Sequence, residues 1–285
     1  MRCIILGTGS LARLYAALFA PFHPVLIGRH SLFSYAITGL GPPQHIDVPF
    51  RYWDEIVPFS PQCVLLAVKW DAMPAVRRWL SFHAQTAYII SVMNGMGHEE
   101  FLIPPLHADQ LALGTTTDAA TSVPGGVHVA AQGITRIGAI DHPFQSHLQA
   151  HIRALHLAWE WVPRPEILRI RWEKLIINSL INPLSVLAQC SNGELLSHPV
   201  WQRSPLLFQQ AHAAARSAGV DLLDFSLEDV ERVAAQTAQN ISSMLQDIRR
   251  GRPTEIQAIT GYIVRQGQRS GVDVSAHVQL LHELS

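Results

Sequence analysis

The sequence has few cysteines, few charged residues and no long apolar run. Among its 285 residues there are three cysteines, and Lys, Arg, Asp and Glu together make up 15%. Three widely spaced cysteines predict neither a disulfide framework nor a zinc site, because both need paired or clustered thiols. No apolar run reaches the ~18 residues that cross a bilayer, so no membrane span is predicted. A formal net charge of −1 without a Lys/Arg run argues against a nucleic-acid partner.

Two further absences concern the compartment and metal binding. The first residues lack a basic region followed by a longer apolar stretch and a small-residue cleavage site, so no leader is predicted. Together with Cys3, Cys63 and Cys190, which lie far apart in apolar surroundings, this predicts a cytoplasmic protein. The 15 histidines are scattered without ligand spacing, so no metal site is expected.

In the first half of the chain, short apolar runs alternate with helical patterns. Continuous apolar runs occupy residues 2–6, 24–27, 63–68 and 87–93. Unbroken runs of this length are typical of parallel strands that are buried on both faces. A helical pattern at 10–20 follows the first run, and 127–131 with 134–137 predict a hairpin after the sheet. The pattern predicts an α/β domain.

After about residue 165 the patterns become helical. They cover residues 168–187, 200–218, 226–248 and 254–270, with breaks at Ser191-Asn192-Gly193, Gly219 and Gly251-Arg252-Pro253. We therefore predict an α/β domain at 1–164 and an all-α domain at 165–285, with the boundary near Pro163-Arg164-Pro165.

A glycine-rich loop follows the first predicted strand. Gly7, Thr8, Gly9, Ser10, Leu11 and Ala12 form the pattern G-x-G-x-x-A and open the first predicted helix. In that context Gly7 permits a tight turn, Gly9 lets the backbone approach a pyrophosphate, and Ala12 allows close helix packing. The helix N-terminus then faces the phosphates. A plain strand–turn–helix with convenient glycines is the alternative.

The choice between NADPH and NADH depends on the end of the second predicted strand. An NAD site usually carries Asp or Glu there, about 20 residues after the glycines. The first acidic residue of this chain is Asp47, and the second strand ends at Gly28 followed by Arg29. A guanidinium pairs well with a 2′-phosphate, so the sequence favours NADPH. The alternative is that Arg29 is only a solvated loop residue.

One predicted helix carries a polar stripe on an otherwise apolar surface. Lys174, Asn178 and Asn182 recur at i, i+4 and i+8 and so share one face. An ammonium and two amides suit a small oxygen-rich anion, and a lysine whose pKa falls toward neutrality can donate a proton. The alternative is the solvent-facing side of an ordinary helix, which a generic Lys-x₃-Asn-x₃-Asn would favour.

A second polar face is predicted further along the chain. Asn240, Ser243 and Asp247 lie at i, i+3 and i+7 of the helical pattern, where Asn and Ser can donate hydrogen bonds to a carboxylate or hydroxyl. Glu255 is expected early in the next helix. From the spacing alone, simple helix capping is the better interpretation of Glu255.

At these residues the chain resembles the ketopantoate reductase family over nearly its whole length. The motifs that carry the resemblance occur in matching order: Gly7–Ala12, Lys69, Asn94-Gly95-Met96-Gly97, Gly114-Thr115-Thr116-Thr117, Gly133–Gly138, Lys174-x₃-Asn178-x₃-Asn182-Pro183-Leu184, Asn192–Leu195, Asn240–Asp247 and Thr254-Glu255-Ile256. The resemblance implies an N-terminal Rossmann domain, a helical C-terminal domain and a cleft between them. Asp118 departs from the commonest pattern.

The resemblance also implies a role for each matching residue. Lys174 is expected to be the general acid, and Glu255 a catalytic carboxylate that contacts cofactor or substrate and orients Lys174. The implied cofactor contacts are the glycine loop, Arg29, Lys69, Asn94, Ala120 and Glu255. The implied substrate ligands are Asn94, Lys174, Asn178, Asn182, Asn192, Asn240 and Ser243.

The reaction implied is the NADPH-dependent reduction of 2-dehydropantoate to (R)-pantoate in pantothenate biosynthesis, by a monomer or homodimer. Two other functions remain open. One is a related NADP-dependent 2-oxo or 3-hydroxy acid dehydrogenase, because a fold does not fix its substrate. The other is a non-catalytic NADPH-binding sensor, which could dispense with Lys174 and the substrate ligands.

Overall fold

The computed structural model describes residues 1–222 and 224–284. Its contacts divide the chain into two units. Unit 1 comprises Met1–Met93 and His98–Ile167, and unit 2 comprises Asn94–Gly97 and Leu168–Ser285. The short segment Asn94–Gly97 thus packs with the helical part of the chain. The domain boundary predicted between residues 164 and 165 stays a prediction.

Most strands of unit 1 form one sheet. They are β1 Cys3–Leu6, β2 Val25–Gly28, β5 Phe50–Tyr52, β6 Cys63–Leu66, β7 Tyr88–Ser91, β8 Leu111–Thr116, β11 Thr135–Gly138 and β12 Trp159–Val162. Their spatial order is β12-β11-β8-β7-β6-β1-β2-β5. Neighbouring strands are parallel from β5 through β8, and β11 runs antiparallel to β8. The predicted parallel α/β sheet is confirmed.

Strand β1 shows why continuous apolar runs become central strands. Side chains alternate between the faces of a strand. Accordingly Cys3 and Ile5 join the apolar cluster on one side of the sheet, while Ile4 and Leu6 join the cluster on the other. All four are at most 1% exposed. Full burial of one aliphatic side chain stabilises the fold by roughly 1.5–3 kcal/mol, so a polar residue at any of these positions would be costly.

The remaining strands of unit 1 form a second sheet. They are β3 Ser34–Thr38, β4 Gln44–Asp47, β9 Ala119–Val123 and β10 Gly126–Ala131, in the order β4-β3-β10-β9. The hairpin predicted from 127–131 and 134–137 is wrong, because β10 pairs with β9 and β3 whereas β11 pairs with β8 and β12. The backbone N–H groups of Gly133 and Ile134 donate to the side chains of Asp118 and Thr117 instead of closing a hairpin turn.

Helices surround the sheets of unit 1 and make up the regular structure of unit 2. They are α1 Ser10–Leu18, α2 Met73–His83, α3 His98–Leu102, α4 Gln145–Ala154, α5 Arg164–Ala188, α6 Asn192–Leu195, α7 Ser204–Ser217, α8 Leu227–Gln236, α9 Ser243–Arg249, α10 Thr260–Ser270 and α11 Ser275–Glu283. Within 1–222 and 224–284, no helix combines the length and apolarity that a membrane span needs. The described residues of unit 2 include no strand, which confirms the predicted helical class.

Two predicted helices are shorter than their sequence patterns. The pattern at 226–248 is interrupted between Gln236 and Ser243, so Asn240 lies outside α9 and shares no helix face with Ser243 and Asp247. The interruption has a tertiary cause, because the carbonyls of Ala238 and Asn240 accept hydrogen bonds from the backbone of Gly193 and Asn192. The pattern at 254–270 becomes helix only from Thr260, which places Glu255 in the preceding turn.

Helix α5 is the centre of the unit 2 core. Trp172, Ile176, Leu180 and Leu184, spaced four residues apart, are each at most 1% exposed and belong to one apolar cluster. Residues at this spacing lie on one side of a helix. Because this side is sealed by apolar neighbours, any polar residue on the rest of α5 has to find partners or a ligand.

Candidate active site

The glycine loop lies at the point where the sheet of unit 1 reverses its strand order. From β1 the chain continues to β2 on one side, and it returns to β6 on the other side of β1. The carboxyl ends of parallel strands at such a switch point form the usual ligand crevice of an α/β sheet. The Gly7 N–H donates to Ile27 O at 2.8 Å, and the Ala67 N–H donates to Leu6 O at 3.0 Å. The loop is therefore held from both neighbouring strands.

The two glycines of the loop have different requirements. Gly7 has φ +125°, and a Cβ at this position would lie 2.3 Å from Ala67 O, so no other residue fits without a backbone shift. A Cβ placed on Gly9 would have no neighbour within 4 Å. Gly9 therefore faces open space, which is where the predicted pyrophosphate would approach the backbone.

The N-terminus of α1 is available to an anion. Gly9 is its N-cap and provides no side-chain hydrogen bond, and the first turn contains no acidic residue. Four backbone N–H groups at a helix start lack helical partners, and the helix dipole places positive potential there. Ala12 is fully buried, so α1 approaches the sheet closely. Open space at Gly9 and an uncapped helix start fit a dinucleotide pyrophosphate.

Arg29, the predicted 2′-phosphate contact, forms an ion pair that the sequence does not reveal. Its Nη2 lies 2.7 Å from Asp71 Oδ2, and the two side chains are 56% and 35% exposed. Arg29 directly follows β2, and Asp71 lies in a short 3-10 turn, Trp70–Ala72, that follows Lys69. Lys69 is partly buried. Only the fold brings Asp71 to Arg29, because the two lie 42 positions apart.

The second sheet of unit 1 contacts the same loop. Ser122 of β9 lies with its Oγ 3.2 Å from Ser10 Oγ. Ala120, the predicted backbone contact to the cofactor, lies on the same strand and is partly buried. This hydroxyl pair connects β9 with the start of α1.

Asp118, which departs from the family pattern, is occupied by internal hydrogen bonds. Its Oδ1 accepts from Gly133 N at 2.8 Å, and its Oδ2 accepts from Thr116 Oγ1 at 2.8 Å and from the Tyr15 hydroxyl at 3.0 Å. Burial, followed by the charge of Asp118, raises the pKa of Tyr15 well above its ordinary value. Asp118 therefore stabilises the turn between the two sheets.

In unit 2, the polar stripe of α5 is largely enclosed. Lys174 and Asn178 are partly buried, and Asn182 is 6% exposed. Among the residues the structure describes, neither side-chain amide, of Asn178 or Asn182, has a hydrogen-bond partner. Eight residues of helix span about 12 Å, so the stripe can contact several atoms of a small ligand. Asn182, which is buried and has no hydrogen-bond partner among the described residues, does not fit the interpretation as an ordinary solvent-facing side.

The segment Asn94–Gly97 is fixed onto the turn that contains Glu255. Asn94 Nδ2 donates to Glu255 Oε2 at 3.3 Å, and the Met96 N–H donates to Ala258 O at 2.9 Å. Gly95 has φ +79°, and a Cβ there would lie 2.4 Å from Ala258 O. A side chain at residue 95 would separate these segments, and the Asn94–Glu255 bond would be lost.

Arg171 is a site-supporting residue that sequence reasoning missed. It is 4% exposed, and its Nη2 donates to Gly95 O at 3.5 Å. It precedes Lys174 by about one turn of α5, so it belongs to the same side of the helix. The available signal was its position, three residues before Lys174 on a helix that is otherwise apolar. A guanidinium on such a helix is buried only if its N–H groups find acceptors.

The remaining predicted substrate ligands lie around the interruption between α8 and α9. Ser242 Oγ lies 2.6 Å from Ser185 Oγ of α5, which ties this segment to the stripe-bearing helix. Asn240 and Ser243 are exposed on the segment. Ser242, rather than Ser243, caps α9 by accepting from Leu245 N at 3.2 Å. Ser243 thus keeps its hydroxyl for other contacts.

Asn192 differs from the other predicted ligands. It is 8% exposed, its Nδ2 donates to Thr237 Oγ1 at 2.9 Å, and its Oδ1 is buried without a partner among the described residues. Thr237 Oγ1 itself donates to Val233 O, so it must accept from Asn192. The structure therefore does not present the Asn192 amide on the surface that carries Asn240 and Ser243.

The predicted site residues fall into two groups, one in each unit. Those of unit 1 are Gly7, Thr8, Gly9, Ser10, Leu11, Ala12, Arg29, Lys69 and Ala120. Those of unit 2 are Asn94, Lys174, Asn178, Asn182, Asn192, Asn240, Ser243 and Glu255. Unit 1 thus offers groups suited to a dinucleotide, and unit 2 offers an ammonium, amides and a carboxylate suited to a small polar acid.

Comparisons with known proteins agree with this arrangement. Residues 3–142 match the family model described as ketopantoate reductase PanE/ApbA, and residues 166–285 match the model of its C-terminal part. The chain is 30% identical over 294 residues to a 2-dehydropantoate 2-reductase of Salmonella typhimurium, with 98% of this chain and 93% of the relative covered. It is 26% identical over 286 residues to that of Archaeoglobus fulgidus, with 99% and 96% covered.

A solved structure shares the fold over the whole length. It is the PanE/ApbA family ketopantoate reductase from Ralstonia eutropha JMP134, with a TM-score of 0.90, 24% identity, and coverage of 100% of this chain and 97% of the other. At this identity the likeness concerns the fold. Together with the two family models, which cover most of the sequence, these findings show that the chain belongs to the ketopantoate reductase family.

Proposed function

We propose that this protein reduces 2-dehydropantoate to (R)-pantoate with NADPH, the ketopantoate reductase step of pantothenate biosynthesis. The observation that carries the proposal is the stripe of Lys174, Asn178 and Asn182, where the amides of partly buried Asn178 and buried Asn182 have no partner among the described residues. In a member of this family, such a stripe is suited to the carboxylate, ketone and hydroxyl of the substrate.

The family resemblance implies which residues would hold the cofactor, and the geometry of the glycine loop in unit 1 supports part of this assignment. The glycine loop and the uncapped start of α1 would bind the pyrophosphate, and Arg29 would bind the 2′-phosphate. Lys69, Asn94, Ala120 and Glu255 would complete the contacts, as the resemblance implies. When bound, NADPH supplies the hydride that the substrate ketone receives.

Lys174 has two tasks in the proposed reaction. As hydride reaches C2, negative charge develops on the ketone oxygen, and a nearby ammonium stabilises it. The same group then transfers a proton from Nζ to that oxygen, which yields the alcohol. Lys174 is afterwards reprotonated from solvent. Asn178 and Asn182 orient the substrate so that this proton transfer is direct.

In this proposal Glu255 acts by orienting the side chain of Asn94. Its Oε2 accepts the Asn94 amide at 3.3 Å, which leaves Asn94 Oδ1 to accept a hydrogen bond from a ligand. The carboxylate thereby fixes the orientation of an amide whose two ends differ in hydrogen-bonding character.

We also propose a cytoplasmic protein that acts as a monomer or homodimer on a small molecule. Cys3 and Cys63 are paired in register on the neighbouring strands β1 and β6, and both are buried free thiols. Three widely spaced cysteines predict no disulfide framework, which fits a reducing compartment. One chain carries both groups of site residues, so either oligomeric state could support the reaction.

The test is NADPH oxidation at 340 nm with 2-dehydropantoate and a panel of other 2-oxo acids. We expect the highest kcat/KM with 2-dehydropantoate. A higher value for another 2-oxo acid would reassign the protein to a related dehydrogenase. Binding of NADPH without oxidation by any acid of the panel would assign it as a sensor.

A further inference from the structure

An ion pair crosses the carboxyl end of the central strand β1. Arg29 follows β2, Asp71 follows β6, and β2 and β6 are the two neighbours of β1. The Arg29 Nη2 to Asp71 Oδ2 distance of 2.7 Å therefore joins segments on opposite sides of the glycine loop. The Asp71 carboxylate is thus already paired with the Arg29 guanidinium, to which the proposed function assigns the binding of the 2′-phosphate.

We infer that Asp71 is a specificity-determining residue of the cofactor site, which competes with the 2′-phosphate for Arg29 and narrows the preference for NADPH over NADH. The inference rests on the proposed function, because it concerns the same cofactor site. It assigns a role to a residue that neither the glycine loop pattern nor the family motifs include.

The physical reason is an exchange of partners. When NADPH binds, its 2′-phosphate gains the Arg29 guanidinium but must displace the Asp71 carboxylate from it. The net gain in binding free energy is therefore the energy of the Arg29–phosphate pair minus that of the Arg29–Asp71 pair. The fold also keeps the Asp71 carboxylate near Arg29 after NADPH has bound. There its negative charge repels the negatively charged 2′-phosphate. Both effects weaken the binding of NADPH.

The binding of NADH does not require the Arg29–Asp71 ion pair to break. Its ribose carries a 2′-hydroxyl in place of the phosphate, so it can bind while the Arg29–Asp71 pair stays intact. A carboxylate at this place can accept a hydrogen bond from a ribose 2′-hydroxyl, as the acidic residue of an NAD site does. The sequence rule finds no acidic residue at the end of β2, but the fold supplies Asp71 from the segment after β6.

A second ion pair of the same unit provides a matched control. Arg136 Nε lies 2.8 Å from Glu160 Oε2, with the side chains 32% and 50% exposed. These residues belong to β11 and β12, at the opposite end of the sheet from β2. Glu160→Gln removes one negative charge from an exposed pair, as Asp71→Asn does, but leaves the glycine loop and its neighbours unchanged.

The test measures the dissociation constants of NADPH and NADH by fluorescence titration in the absence of substrate. We expect Asp71→Asn to tighten NADPH about three- to tenfold, from the loss of a competing ion pair and of repulsion. NADH should bind equally well or more weakly. Glu160→Gln should leave both constants unchanged. In an Arg29→Ala background, most of the gain from Asp71→Asn should disappear.

The outcomes separate this inference from the proposed function. An unchanged ratio of the two dissociation constants in Asp71→Asn overturns the inference, and so does an equal gain in Glu160→Gln. In those cases wild-type NADPH oxidation by 2-dehydropantoate would still support the proposed function. A wild-type protein that binds NADPH no better than NADH, with Asp71→Asn restoring the preference for NADPH, would support the inference most strongly.

Discussion

Asn94 and Glu255 lie 161 positions apart in the sequence, and Asn94 Nδ2 donates a 3.3 Å hydrogen bond to Glu255 Oε2. The bond depends on the close contact of Gly95 with Ala258, where no Cβ could be accommodated. Because carboxylate oxygens only accept, the bond determines which end of the Asn94 amide faces Glu255. The two residues form one unit of the site.

If they act as one unit, their substitutions are not additive. We expect Asn94→Ala and Glu255→Ala each to lower kcat/KM by about 10–100-fold, and the double variant to be little worse than either, which corresponds to a coupling energy of about 1.4–2.7 kcal/mol. Steady-state kinetics of the four proteins measure this coupling. Glu255→Gln keeps an acceptor oxygen and should recover part of the loss. Fully additive effects would show that the two residues act separately.

Lys174 should be needed for turnover more than for cofactor binding. We expect Lys174→Ala to lower kcat by about 10²-fold or more, because the alkoxide loses both its counter-charge and its proton donor. Lys174→Arg keeps the charge but is a poor proton donor, so it should restore KM more than kcat. The dissociation constant of NADPH should change little in both variants. Near-normal turnover of Lys174→Ala would contradict the assigned role.

The two glycines of the loop should respond differently to alanine. At Gly9 a Cβ meets no atom within 4 Å, so Gly9→Ala should fold with an unchanged melting temperature but bind NADPH weakly, because the methyl group enters the pyrophosphate path. At Gly7 a Cβ would lie 2.3 Å from Ala67 O at φ +125°, so Gly7→Ala should lower the melting temperature. Thermal denaturation and NADPH titration separate the two effects. Equal melting temperatures of the two variants would argue against the described loop geometry.

Arg29 should discriminate between the two cofactors. We expect Arg29→Asp to weaken NADPH by about tenfold or more, because a bidentate charge partner is replaced by a repulsive carboxylate, and to change NADH far less. Dissociation constants for both cofactors measure the difference. Arg136→Asp, which introduces the same charge change on β11, should leave both constants unaltered. A loss of equal size for NADPH and NADH would remove the assignment of Arg29 to the 2′-phosphate.

The sequence predicted those features of the fold that depend on local patterns. The apolar run at β1, the glycine loop and the stripe of Lys174, Asn178 and Asn182 are all contained in single segments, and their periodicity is sufficient to place them. The helical class of unit 2 follows for the same reason. The switch point of the sheet was not needed to find the loop, but it explains its position.

Features that depend on distant partners could not be predicted. The helical pattern at 226–248 continues through residues 237–242, and only hydrogen bonds from Asn192 and Gly193 show why the helix stops there. The false hairpin has the same origin, since Asp118 binds the Gly133 N–H from 15 positions away. Asp71 carries no local signal at all, because its importance comes from a contact with Arg29.

The buried histidine of α11 should make the stability of the fold depend on pH. His277 is fully buried, and its Nε2 lies 2.9 Å from Leu207 O, which can only accept, so Nε2 carries the proton. Its Nδ1 is buried without a partner among the described residues. Burial lowers the pKa of His277 from 6.5 to about 4, since a charged ring would be desolvated and its second N–H would have nothing to bind.

The sign of the effect follows from proton binding. Between pH 6.5 and about 4 the unfolded chain takes up a proton at His277 and the folded chain does not, so stability should fall as the pH falls through this range. The full difference amounts to about 3 kcal/mol, reached below the folded pKa. Chemical denaturation at a series of pH values should show a shallower decline for His277→Gln, whose amide can donate to Leu207 O but does not titrate. The exposed His282 of the same helix is the control, and His282→Gln should keep the wild-type slope. An unchanged slope in His277→Gln would mean that other groups cause the acid sensitivity.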